Sequence, residues 1–354
     1  MKLSLYIALV FILSACSENQ STTYSDGPYV LKHSDTWEAL WVCNGQNKRF
    51  EFPPPDTRKR VEKCNLSAEL SNEIANRPQL TYDNVSRIAA ISDIHGQYHL
   101  LEGLLRAHGV IDTEGNWRYG TGHLVITGDV FDRGPTVTES LWMLYQLDKQ
   151  ARDAGGFVHL LLGNHEVMVL NGDLRYLHEK YKQTERVLHQ SIPNLFSKTT
   201  VLGQWLQSRN VLVKINNILF LHGGLHVSLA QQGKTLADIN QAFTQRLVAK
   251  DKSSRTGFGQ FVHNSEGPVW YRGYFREPRA STDDIDTLLT HFAVTHIVVG
   301  HTTQEHVMGF YDNKVIAIDS GIKRGLTGEL LLVEPDGLYV GKLDGEKAML
   351  SSTN

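Results

Sequence analysis

Hydrophobic positions in this chain gather into short apolar runs, and a polar cluster stands at the end of each. Ile88-Ala89-Ala90-Ile91 runs into Ser92-Asp93-Ile94-His95-Gly96, and Leu124-Val125-Ile126 into Gly128-Asp129-Val130-Phe131-Asp132-Arg133-Gly134. Phe157 to Leu162 runs into Gly163-Asn164-His165-Glu166, Ile218 to Leu221 into His222-Gly223-Gly224, and Ile297-Val298-Val299 into Gly300-His301-Thr302. Unbroken apolar runs of this length, bounded by turn residues, predict buried strands. Leu100, Leu101, Leu104 and Leu105 recur at helical spacing after the first cluster. After the second, Thr136-x-x-Glu139 has the form of a capping box and predicts a helix carrying Leu141, Leu144, Leu147 and Ala151. Strands alternating with helices predict an α/β fold, which places its sites at the carboxyl ends of its strands.

Outside this repeat the pattern weakens. Tyr29 to Phe52 alternates around Asn44-Gly45, a strong turn signal, and predicts a small β-hairpin ended by Pro53-Pro54-Pro55. Arg58-Lys59-Arg60 reads as a solvated charged loop, and residues 64–80 as a short helix leading into the main domain. This N-terminal piece is too small to hold a core of its own. An insertion at about 171–217 has a charged helical first half, Leu174 to Tyr181, and a second helix around Trp205 and Leu206. With the segment Leu236 to Ala249 it is a candidate cap over the strand ends; Tyr176 and Tyr181 read as helix-face core rather than pocket rim. Val315 to Ile318, Glu329 to Val333 and Leu338 to Lys342 predict a closing β-meander. The organisation expected is a leader over 1–15, a tether and small β extension over 16–80, and a catalytic domain over 81–345.

Composition adds limits. A net charge of -3 with no long basic run lacks the electrostatic footprint of a nucleic-acid binder. Met1-Lys2 followed by Leu3 to Leu13 is too short an apolar block to span a bilayer and reads as a secretory signal. Leu13-Ser14-Ala15-Cys16 resembles a bacterial lipobox, with Cys16 lipidated as the first mature residue. The expectation is an exported lipoprotein, anchored to a membrane through its N-terminal lipid and facing the periplasm. Ser17, in place of an aspartate, favours the outer membrane; the alternative is ordinary cleavage near Ala15 and a soluble periplasmic protein. Cys43 and Cys64 are the remaining cysteines, and an even pair in an exported chain predicts a disulfide. Cys43 to Arg49 has the C-x5-R spacing of cysteine phosphatases, but Val42, Gln46 and Phe50 replace the residues that motif needs, so the match is chance.

The strand-end clusters together offer Asp93, His95, Asp129, Asn164, His222 and His301. Carboxylate, amide and imidazole donors without thiolate suit two divalent ions such as Mn, Fe or Zn and do not resemble a calcium cage. Six donors are too many for one ion with an open position, but suffice for two about 3.5–4 Å apart when one carboxylate bridges them.

The same series, in this order over residues 88 to 320, resembles the phosphoprotein phosphatase branch of the calcineurin-like metallophosphoesterases. Leu174-Arg175-Tyr176 to Tyr181, with Gly203-x-Trp205-Leu206, is similar to the Shewanella-like phosphatases in that branch. The resemblance implies a central β-sandwich flanked by helices; the small N-terminal extension beside it is expected, from its cysteine pair, to be stapled by the disulfide. It implies that Asp93 and His95 hold one metal, that Asp129 bridges, and that Asn164, His222 and His301 hold the second. His165 would protonate the leaving oxygen with Asp132 orienting it, and Arg133 and Arg272 would grip the phosphate. The implied reaction is phosphomonoester hydrolysis, on a phosphorylated protein or small phosphoester, by in-line attack of a water bound between the metals, without a phosphoenzyme. Phosphotyrosine is the implied preference over phosphoserine and phosphothreonine. Ser92 departs from the glycine that opens the motif in the strict Ser/Thr-type enzymes. Two alternatives stay open: a dinucleoside polyphosphate pyrophosphohydrolase, and an inactive binding lipoprotein. His226 and His263 lie near the motifs and read as structural, as do His123, His159 and His296.

Overall fold

The structure, a computed structural model, describes residues 24–73, 75–249, 253 and 255–352. The expected signal peptide and the expected lipidation at Cys16 fall outside the described residues. Among the described residues no helix is long and apolar enough to cross a membrane.

An N-terminal three-stranded sheet comprises β1 (Asp26–Lys32), β2 (Trp37–Cys43) and β3 (Gln46–Phe52). Asn44 and Gly45 make its second turn, both with positive φ, as a tight hairpin requires. The charged stretch after the prolines is not a loop leading to a helix. It is a second hairpin, β4 (Arg58–Lys63) and β5 (Leu66–Ser71). Val61, Ala68 and Leu70 are buried while Arg58, Arg60 and Glu62 face out, a period-two pattern masked by its charged members. Cys43 and Cys64 are bonded, with Cα atoms 5.8 Å apart, and join the end of β2 to the turn of this hairpin.

The main domain is a sandwich of two six-stranded sheets. In the first, β7 (Ile88–Ile91), β8 (His123–Ile126) and β9 (Phe157–Leu160) run parallel. The second begins at its edge strand β6 (Thr81–Tyr82), with β10 (Leu212–Ile215), β11 (Ile218–Leu221), β12 (His296–Val299), β13 (Met308–Phe310) and β14 (Val315–Ala317). The expected closing meander is divided between the sheets. The strand β14 lies parallel to β12, whereas β15 (Glu329–Glu334), β16 (Gly337–Lys342) and β17 (Lys347–Met349) extend the first sheet beyond β7. Alternation explains the packing. Ile88, Ala90 and Val125 meet Val213, Phe220, Val298 and Ile316 between the sheets, while Ala89, Ile91, Leu124 and Ile126 turn to the outer helices.

Those helices include α1 (Tyr98–Ala107) and α2 (Val137–Asp153). The capping box expected at Thr136 does not form, because tertiary bonds claim the hydroxyl. Thr136 Oγ1 donates to Gly96 O at 2.6 Å and accepts from Tyr98 N at 3.0 Å. The first N–H groups of α2, on Val137 and Thr138, donate instead to Tyr181 Oη at 2.7 and 3.1 Å. After the short α3 (Asn164–Leu170), the insertion folds as α4 (Glu179–Leu188), α5 (Ile192–Leu195) and α6 (Val201–Gln207). It packs on the N-terminal sheet: α5 and α6 contact β1, and α4 contacts β2. A buried polar knot fastens the two. Asp26 accepts from Tyr29 Oη at 2.7 Å and Thr184 Oγ1 at 2.8 Å, and pairs with Lys180 at 3.1 Å. Tyr29, Trp37, Leu40 and Trp41 thereby join the core of the main domain. Among the described residues the further α-helices are α7 (Ser228–Gln231), α8 (Leu236–Thr244), α9 (Gly257–Phe261) and α10 (Thr282–Phe292).

Candidate metal centre

The carboxyl ends of β7, β8, β11 and β12 and the start of α3 converge on one buried cluster. Its centre is Asp129 Oδ2, which lies 3.2 Å from His222 Nε2, 3.6 Å from His95 Nε2 and 3.8 Å from His165 Nε2. Asp93 Oδ1 stands 3.7 Å from His95 Nε2, and Asn164 Oδ1 3.0 Å from His222 Nε2. Two donor groups result, His95 with Asp129 and His165, and Asp129 with His222 and His301. Asp129 belongs to both.

Each ring is oriented from behind. His95 Nδ1 donates to Phe131 O at 2.7 Å and His222 Nδ1 to Thr127 O at 2.9 Å, so Nε2 of each is the nitrogen that faces the cluster. His301 is reversed: its Nε2 donates to Trp270 O at 3.2 Å and leaves Nδ1 inward. Asp93 Oδ2 accepts from Ser92 Oγ at 2.6 Å and from His301 N at 2.8 Å. Thr127 Oγ1 donates to Ser92 Oγ at 2.6 Å. The serine that departs from the motif therefore steers a carboxylate, and Thr127 serves both halves of the cluster.

The electrostatics favour cations here. Burial opposes ionisation of Asp93 and Asp129, yet the surrounding imidazoles hold both carboxyls well below the ordinary range. Burial opposes the charge of His222 too, but Asp129, Asp93 and Glu166 push its pKa up to about 9. A buried, hard-donor pocket whose field draws a proton onto imidazole will draw a divalent ion more strongly. The residues present thus fit two divalent ions, with Asp129 common to both donor groups.

Around this cluster stand the groups expected to handle substrate. His165 Nδ1 bonds Asp132 Oδ2 at 2.6 Å, which leaves Nε2 toward Asp129. Arg133 is exposed, with its guanidinium carbon 4.9 Å from the centre of the Tyr176 ring. Arg272 donates to His301 O at 2.8 Å and comes within 3.4 Å of His301 Nδ1. His226 bonds Ser228 Oγ at 2.8 Å, and His123 and His159 bond each other at 3.0 Å, away from the cluster. His263 stacks on Phe243 and lines a groove of about 480 Å³ with Asn264, Ser265, Trp270 and Arg272.

Three features escaped the sequence. Glu166 is fully buried and accepts four backbone N–H groups, from Asp129, Val130, Phe131 and Gly163. The signal was available: an acid three residues after the helix-starting Gly163 reaches back to that N-terminus. Asp319 ends the run Val315 to Ile318 as the other acids end theirs. It pairs with Lys323 and Thr303, and burial plus the charge of Asp93 push its pKa up to about 6. Tyr176 is not helix-face core. It precedes α4, is 43% exposed, and its ring centre lies 5.3 Å from that of His165. No local pattern marks it.

Comparison with known proteins identifies the family. The family model described as calcineurin-like phosphoesterase matches residues 86–305. Shewanella-like protein phosphatase 1 of Plasmodium berghei is 30% identical over 256 residues, which cover 68% of this chain and 69% of that protein. Shewanella-like protein phosphatase 2 of Arabidopsis thaliana is 23% identical over 320 residues, covering 77% and 80%. The crystal structure of a cold-active protein-tyrosine phosphatase from a psychrophilic Shewanella superimposes with a TM-score of 0.88 at 44% identity, covering 93% of this chain and 100% of that one.

Proposed function

From the premise that the chain belongs to the calcineurin-like phosphoesterases, hydrolases with a dinuclear divalent metal centre, we propose that it is a phosphoprotein phosphatase with a preference for phosphotyrosine. The observation that carries the reading is Asp129 Oδ2, set within 3.2, 3.6 and 3.8 Å of three imidazoles from three separate motifs. The names of the two relatives and of the tyrosine phosphatase support the substrate class.

Asp93 and His95 would hold the first ion, Asn164, His222 and His301 the second, and Asp129 would contribute to both. Bound ions, with manganese the first candidate, supply an activated water nucleophile and positive charge for the phosphoryl oxygens. Arg133 and Arg272 are the phosphate grips, and a guanidinium offers paired donors that a lysine cannot. Arg272 is tethered through Nη1 to His301 O and Thr302 Oγ1 and approaches His301 Nδ1 through Nη2, which sets its guanidinium beside the second donor group. His165 gives its Nε2 proton to the leaving oxygen as the ester P–O bond breaks and the water oxygen bonds phosphorus. The bond from Nδ1 to Asp132 fixes the ring so that Nε2 is the nitrogen turned to the leaving oxygen. The products are inorganic phosphate and the free hydroxyl compound.

Turnover of p-nitrophenyl phosphate with manganese, abolished by chelation and restored by the metal, is the test. No turnover in chelator-free manganese buffer refutes the reading. A much higher specificity constant on diadenosine tetraphosphate transfers it to pyrophosphate cleavage. The placement proposed is the periplasmic face of a membrane, through lipid on Cys16. Labelled fatty acid incorporated by the wild type and lost in Cys16→Ser supports it, and an unlabelled, soluble mature protein rules the anchor out.

A further inference from the structure

His165 has one nitrogen to offer. Its Nδ1 is held by Asp132, so the leaving oxygen of a phosphoester must come to Nε2. The first carbon atoms beyond that oxygen then lie beside the His165 ring. The ring touches His95 on the metal side, at 4.7 Å between centres, and Tyr176, at 5.3 Å. Among the described residues Tyr176 is, besides His95, the ring in contact with His165, and so it is placed to meet the organic part of the substrate. Trp270 stands elsewhere, beside His301 and Arg272, where the phosphoryl group itself is gripped.

Tyr176 is open without being loose. Arg133 N donates to Tyr176 O at 3.0 Å, which fixes the backbone. The guanidinium carbons of Arg133 and Arg175 lie 4.9 and 5.6 Å from its ring centre and hold the side chain. A large ring, braced by cations yet 43% exposed at the mouth of the site, is arranged to meet another flat group. Its partner Tyr181, five residues on, is by contrast fully buried and caps α2.

We propose that Tyr176 is a specificity-determining residue: its ring packs against a planar aryl leaving group and so favours aryl over alkyl phosphomonoesters. A serine phosphate presents a single methylene at this point and gains little from the wall. The proposal rests on the phosphatase reading above. Aromatic packing of this kind corresponds to about a three- to ten-fold preference.

The experiment compares the manganese-loaded wild type with Tyr176→Ala and Tyr176→Phe on one peptide phosphorylated on tyrosine or, at the same position, on serine. The expected result in Tyr176→Ala is a fall of about three- to ten-fold in the ratio of kcat/KM values, tyrosine over serine, carried by KM. Tyr176→Phe restores the ratio, and metal content is unchanged in both. Disturbance of Arg133, which both substrates use, cancels in the ratio. An unchanged ratio in Tyr176→Ala, or a loss not restored by phenylalanine, overturns the proposal while leaving the phosphatase reading in place. A wild type that hydrolyses neither peptide overturns both.

Discussion

Glu166→Gln is the sharpest test of how the site is held together. The side chain keeps its size, so what changes is charge and hydrogen-bond polarity. Glu166 Oε1 accepts Val130 N at 2.7 Å and Phe131 N at 3.3 Å, while Oε2 accepts Gly163 N at 2.7 Å and Asp129 N at 2.8 Å. A glutamine has one oxygen, so in either orientation its NH2 group faces two N–H donors. Two buried donors lose their acceptor, at about 1–3 kcal/mol each. Removing the charge brings some relief, because burial and then the nearby charge of Asp129 already raise the Glu166 pKa. The expected loss is therefore toward the lower end, about 2–4 kcal/mol, a large share of a typical domain's stability. Urea unfolding followed by tryptophan fluorescence measures it, with the slope checked for constancy so that the midpoint shift reads as stability. Manganese titration of the same protein should show weakened binding, since Asp129 sits on the loosened loop. A loss below about 0.5 kcal/mol with metal affinity intact would mean that the carboxylate does not hold this loop.

Asp129→Ala is expected to cost both ions, and full metal occupancy in that variant refutes its bridging role. Ser92→Gly removes one bond to the Asp93 carboxylate and is expected to weaken metal affinity about 10- to 100-fold without unfolding the chain; an unchanged affinity by metal titration rules out the steering role. Stability should also fall in acid through His159. Burial and then His123 hold its folded pKa well below 6.5, so the unfolded chain takes up the proton first. This contribution is full above pH 6.5 and is lost as pH drops below it, at about 1.4 kcal/mol per pH unit. His159→Phe should flatten the slope between pH 6.5 and about 5 by that amount, and an identical slope in the variant is the contrary result.

What the sequence made legible was whatever a strand's own neighbourhood dictates. Ile88 to Ile91 or Ile218 to Leu221 must be buried, so the polar residue that follows each must emerge at the sheet's edge, and its chemistry can be read directly. Long-range contacts left no such trace. Thr136 looks like a helix cap in isolation, and only the nearness of Gly96 and Tyr98 diverts its hydroxyl. The insertion looked like a cap on the site because nothing local shows that α4 to α6 lie on an N-terminal sheet over a hundred residues earlier. The hairpin of β4 and β5 was hidden for a different reason. Its outward face is so charged that Val61, Ala68 and Leu70 scarcely register. Tyr176 reaches the site through the backbone bond its carbonyl accepts from Arg133, which its own residue type does not announce.

The same long-range bonds explain why the donor groups stand ready. Asp93, His95, Asp129, Asp132, Arg133 and His301 all have positive φ, between 47° and 69°, in the left-handed region that side chains avoid. Each such residue costs about 1 kcal/mol or more and persists only where the surroundings over-determine it. Here the loops determine one another. Asp93 N donates to Gly128 O at 3.1 Å, His95 N to Asp129 O at 2.9 Å, and Gly134 N returns to His95 O at 2.9 Å. Glu166 then pins the second loop to the third, and Asp93 Oδ2 takes the backbone N–H of the fifth. The approach is so close that a Cβ on Gly300 would overlap Ser92 Oγ and Asp93 Oδ2. Strain spread over loops from distant parts of the chain and held by shared hydrogen bonds cannot relax in one loop alone. The ligands are therefore ordered by folding itself, and little of the metal's binding energy is needed to assemble them. Changes at Glu166 or Ser92, which touch no substrate, should for that reason be felt first as metal affinity and only through it as rate.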